Sequence, residues 1–106
     1  MLHRRQIIHQ LAKNQPLWTQ EEAIAFESAR ETLGHMIAIC STLIDEEEAL
    51  PIPDLQRIAE LEKKQDQFLQ ERLALHVDSK AEIIRIRLEY ASKIKRYLKE
   101  NGPCPV

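Results

Sequence analysis

DEEEALPIPD, residues 45–54, is the stretch on which the reading of this chain turns. Four consecutive acids lead into an apolar interval broken by Pro51 and Pro53, and Asp54 follows. A proline inside a helix removes a backbone donor and clashes with the preceding turn, so any helix entering this stretch ends there. Pro53 suits the first turn of a following helix, where its missing N–H would have no partner anyway. The segment is first a break between two helices, and whether its acids also meet a partner is a separate question.

Upstream of the break, TQEE (residues 19–22) reads as a capping box, in which Thr19 and Glu22 satisfy two backbone donors at a helix start. From there Ala23, Phe26, Ala29, Leu33, Met36, Ile37, Cys40, Leu43 and Ile44 recur at steps of three and four, which predicts a long amphipathic helix. Gly34 in its middle costs about 1 kcal/mol relative to alanine, and that cost predicts close approach of a neighbouring helix. Nearer the N-terminus, Leu2, Ile7, Ile8 and Leu11 place one apolar face on a short helix over residues 2–13, ended by Pro16.

Downstream there is neither glycine nor proline between Asp54 and Asn101. Leu55, Ile58, Leu61, Phe68, Leu69 and Leu73 give one helical stripe, and Ala81, Ile84, Leu88, Ala91, Ile94 and Leu98 give another. Between the stripes lies HVDSK, with SKAE (residues 79–82) as a second capping box, so two helices joined by a turn are expected. The alternative is a single long helix whose exposed stripe demands a partner chain. IRIRLEY (residues 84–90) alternates like a half-buried strand, but a lone strand has nothing to pair with, and the segment is assigned to helix.

Only two glycines and 5% aromatic residues argue against a turn-rich β fold. The expected fold is all-α: an antiparallel up-and-down helical bundle of a short N-terminal helix plus three longer helices. It forms one domain over residues 1–101, with a tail over 102–106. The expected core is Phe26, Leu33, Ile37, Cys40, Ile44, Leu55, Ile58, Leu61, Leu69, Leu73, Ile84, Leu88, Ala91 and Leu98. So narrow a core in 106 residues gains stability from further burial, which points to a homodimer.

Charge is segregated along the chain. Nine acids face one base, Arg30, between Gln20 and Asp54, whereas seven bases face three acids between Lys80 and Glu100. Exposed pairs between an acidic and a basic helix add little individually but help to fix which helices become neighbours. The leading functional expectation is a non-catalytic protein–protein interaction module. It presents Glu21, Glu31, Asp45, Glu46, Glu47 and Glu48 to a basic partner, in the manner of an inhibitor, an immunity protein or an antitoxin. The runner-up is nucleic-acid binding through Arg85, Lys93, Arg96 and Lys99 on the last helix; interspersed acids and a net charge of −2 weigh against it.

Arg30 and His35 have the Arg-x4-His spacing used by helical HEPN-type ribonucleases, which makes a ribonuclease the third reading. Arg4 and His9 repeat the spacing, and Glu31 beside Arg30 would repel a phosphate. His3, His9, His35 and His76 are scattered without ligand spacing, and there is no Gly-rich phosphate loop. Cys40 lies in an apolar stripe where its thiol should be inert. Neither cofactor, metal nor enzymatic activity is expected. The two unspaced cysteines suit a reducing, cytoplasmic setting, and the longest apolar run, residues 33–44, is too short for a bilayer.

Overall fold

The computed structural model describes residues 17–101, and they form three helices: α1 (Gln20–Glu48), α2 (Leu55–Ala74) and α3 (Lys80–Asn101). The expected helix over residues 2–13 and the tail over 102–106 lie outside the described residues. Helix α1 opens on the capping box read from the sequence. The Thr19 hydroxyl accepts from the Glu22 N–H at 3.0 Å, and the Thr19 N–H donates to the Glu22 carboxylate at 2.8 Å. Two orphan donors are thereby satisfied reciprocally.

Residues 45–48 are the last turn of α1, and residues 49–54 connect it to α2. Ala49 N–H still reaches Asp45 O at 3.1 Å, and Pro51 then prevents further helix. Pro53 stands one residue before the N-cap of α2 rather than in its first turn as expected. Asp54 takes the cap because its extended backbone (ψ 100°) lets its side chain accept from the N–H groups of Gln56 and Arg57. A turn over residues 76–79 separates α2 from α3, so the single long helix is excluded. The second capping box does not form in the expected way. The Ser79 hydroxyl accepts instead from His76 N–H at 3.2 Å, which ties the turn to itself.

Cross-helix contacts set the directions. Arg57 pairs with Glu47, and Gln65 donates to Ile37 O and the Ser41 hydroxyl, so α2 runs antiparallel along α1. Lys80 pairs with Glu22 at 3.5 Å, and Tyr90 packs edge-on against Phe68, so α3 returns parallel to α1. The backbones of α2 and α3 both pack on α1, and only side chains join the two to each other. The buried core runs through Ala29, Leu33 and Met36 of α1, Leu75 of the turn, and Ile83, Ile86 and Tyr90 of α3, with Phe26 and Phe68 packed against it. Ile39 and Cys40 of α1 and Ile58 and Leu61 of α2 are also buried.

Several expected core positions are exposed. On α3 the buried row is Ile83, Ile86 and Tyr90, while Ile84, Leu88, Ala91 and Leu98 face outward. The helix carries two apolar rows, and α1 covers only one of them. On α2, Leu55, Leu69 and Leu73 are exposed because α3 lies against α1 and leaves that outer row uncovered. Gly34 is not at a close helix approach either: a Cβ built there meets nothing within 4 Å.

Candidate interaction surfaces

The acids expected to form one face do not come together. Glu21 and Asp45 lie at opposite ends of α1, roughly 36 Å apart at 1.5 Å per residue, with exposed Glu31 between them. At the C-terminal end Asp45, Glu46 and Glu48 are exposed. Glu47 is different. One of its carboxylate oxygens meets Arg57 Nε at 3.3 Å, the other accepts from Asp54 N–H at 3.2 Å, and its side chain is only 13% exposed. Glu47 clamps the α1–α2 turn, and its charge is matched there.

Around that clamp the turn exposes apolar residues: Leu50 at 50%, Ile52 at 88% and Leu55 at 75%. These exposed apolar side chains and the exposed carboxylates of Asp45, Glu46 and Glu48 lie within a few residues of one another at one end of the molecule. Sequence reasoning named the acids and missed Leu50 and Ile52. The signal was present, because isoleucine between two prolines in an acidic turn has no helix face to join.

The four basic residues of α3 are not equally available. Arg85 donates to Glu82 at 3.0 Å and to Glu89 at 3.2 Å, and its guanidinium also meets the Glu71 carboxylate of α2. Lys93 lies over the Tyr90 ring at 5.6 Å, while Arg96 and Lys99 are exposed. Arg85, at one end of the row expected to track phosphates, is thus paired with three carboxylates.

Those contacts are part of a latch between α2 and α3. Tyr90 OH and the Glu71 carboxylate oxygens lie 3.1 and 3.2 Å apart, Arg85 Nη1 donates to Tyr90 OH at 3.2 Å, and the Phe68 and Tyr90 rings meet at 5.3 Å. Burial pushes the Tyr90 phenol above its ordinary value; Arg85 opposes this and the Glu71 carboxylate adds to it. The Arg85 guanidinium is held more firmly protonated, first by Tyr90 and then by Glu82 and Glu71. A phenol beside a carboxylate that is ion-paired with Arg85 is suited to joining helices, since each polar atom has its partner.

Arg30 is occupied by Glu27 at 3.4 Å and by the Phe26 ring, while His35 is exposed. Five residues apart on one helix, the two side chains diverge by about 140° and share no site. Burial raises the Cys40 thiol above its ordinary value, in keeping with an inert core cysteine. Among the described residues no group of three or more His, Cys, Asp or Glu is placed to hold a metal ion, and no helix is long and apolar enough to cross a membrane.

Two clefts flank the N-terminal end of α1. One, of about 560 Å³, is lined by Leu17, Trp18, Phe26 and the 75–78 turn. The other, of about 250 Å³, runs between α1 and α3, with Glu21 and Ala25 on one lip and Lys80, Ile84 and Arg87 on the other. No family model, curated protein or solved structure matches this chain.

Proposed function

We propose that the protein is a non-catalytic protein–protein interaction module that presents the α1–α2 tip to a basic partner. The carrying observation is the exposed apolar trio Leu50, Ile52 and Leu55, flanked in the chain by the exposed acids Asp45, Glu46, Glu48 and Asp54. The apolar residues supply contact area that gains by leaving water, and the acids steer and select a Lys/Arg-rimmed pocket. An inhibitor, immunity-type or antitoxin-type protein working in the cytoplasm fits that chemistry. Self-association belongs to the same reading, because the three-helix core leaves long apolar rows on α2 and α3 uncovered.

The test is a photo-cross-linking side chain placed at Ile52 in cells. The expected result is capture of a protein at a basic surface, abolished when Asp45, Glu46 and Glu48 become lysine. Glu47 is left intact in that variant because it holds the turn. Capture that survives the triple reversal and also survives Ile52→Ser reported from a neighbouring position would refute the reading.

A further inference from the structure

The cleft between α1 and α3 is a groove whose two walls continue along the exposed faces of those helices. On α1, Glu21, Ile24, Ser28 and Glu31 follow at steps of three, four and three, so they share the lip that Glu21 marks. On α3, Ile84, Leu88, Ala91 and Leu98 continue the lip that Ile84 marks, with Arg87 beside the row and Lys95 within it. Helix α2 meets α3 on its other flank, through Arg85 and Tyr90. Between the charges the lips are apolar, with Ile24 at 61%, Ile84 at 58% and Leu88 at 74% exposure. The two lips carry opposite charge: Glu21 and Glu31 on one side, Arg87 and Lys95 on the other, none in an ion pair among the described residues.

We propose that the occupant of this groove is a second copy of the chain, related by a two-fold axis that runs parallel to α1 and α3. Two operators could stack this face on itself. An axis across the helices lays α1 on α1 and α3 on α3, which sets acids against acids and bases against bases. An axis along the helices lays α1 on the second copy's α3 twice over, and both contacts join an acidic lip to a basic one. The same operator sets Ile24 of each copy opposite Ile84 of the other.

The register follows from the Glu22–Lys80 ion pair, which sets residues 22 and 80 at one height on two parallel helices. An axis along the helices preserves height, so Glu31 comes level with position 89 of the second copy, within one turn of its Arg87 and Leu88. This proposal rests on the self-association reading above and is independent of the docking tip.

The experiment is sedimentation equilibrium on the full chain and three variants, with far-UV circular dichroism to show that the helices persist. The wild type is expected to dimerise. Leu88→Glu, at an exposed position, should weaken dimerisation on the order of a hundredfold by setting a carboxylate beside Glu31 of the second copy at both symmetry-related contacts. Glu31→Arg should weaken it about tenfold, and Glu31→Arg with Arg87→Glu should restore it to within about threefold. A wild type that stays monomeric at every concentration overturns self-association itself, as it would if residues 1–16 of the same chain filled the groove. A dimer insensitive to Leu88→Glu overturns the face while leaving self-association standing. A dimer that is unchanged or tightened by Glu31→Arg overturns the operator.

Discussion

Which face of α3 is buried is tested most sharply by a pair of truncations two residues apart. Ile86 is 1% exposed, against Leu33 and Ala29 at 0%, whereas Leu88 is 74% exposed. Ile86→Ala removes three buried carbons, about 2.4 kcal/mol at about 0.8 kcal/mol each, and the cavity left in a close-packed site brings the cost to about 3–4 kcal/mol. Leu88→Ala removes the same number of carbons from a side chain only about a quarter buried, which is about 0.6 kcal/mol within one chain. Urea unfolding followed by circular dichroism at 222 nm separates the two. The Ile86→Ala midpoint should fall at every protein concentration, with a melting temperature lower on the order of 15–25 °C. Any larger loss at Leu88→Ala should appear only where the chain self-associates and vanish on dilution. Equal costs in dilute protein would mean that the buried row has been assigned to the wrong face.

Other consequences follow from single positions. Gly34→Ala should stabilise the chain by about 0.5–1 kcal/mol, because the added methyl meets nothing within 4 Å and the helix loses its most flexible residue; a loss in the same urea assay would mean that something does occupy that space. Asp54→Ala should cost about 1 kcal/mol by uncapping α2, and Asp54→Asn should recover most of it. The Glu22 carboxylate is held below its ordinary value of 4.5, first by the Thr19 backbone N–H, then by the Thr19 hydroxyl and by Lys80. Its folded pKa is the lower one, so its contribution is present above pH 4.5 and is lost as pH falls through the folded value. Glu22→Gln should therefore flatten the fall of stability below pH 4.5, and an unchanged acid limb in a pH series of urea midpoints would contradict the capping geometry.

Much of this fold was legible because local chemistry decided it. The Thr19–Glu22 box, the proline break and the long stripe from Phe26 to Cys40 each depend on residues a few positions apart, and each appears in the structure. The face of α3 was not legible. Ile83, Ile86 and Tyr90 fit the helical period as well as Ile84, Leu88 and Ala91 do, so periodicity cannot choose between the rows. The choice is made by where α1 lies, which is tertiary information. Glu47 shows the same limit at the candidate site. In the sequence it is one of three consecutive glutamates; its role depends on Arg57, ten positions on, folding back across the turn. The exposed Ile52 could have been read from the stretch itself, since an apolar residue between two helix-breaking prolines is barred from either helix face.

The measurement that tests the account most directly is the mass of the wild-type chain by light scattering, across concentration and at low and high salt. The account holds that apolar rows left uncovered by three helices are completed by a second copy, with acidic and basic lips selecting the arrangement. It predicts twice the 12.4 kDa chain mass, with an apparent Kd that rises modestly as salt screens the lips while the apolar seam persists. A mass of one chain at all concentrations would contradict it, and so would a dimer that salt dissolves completely.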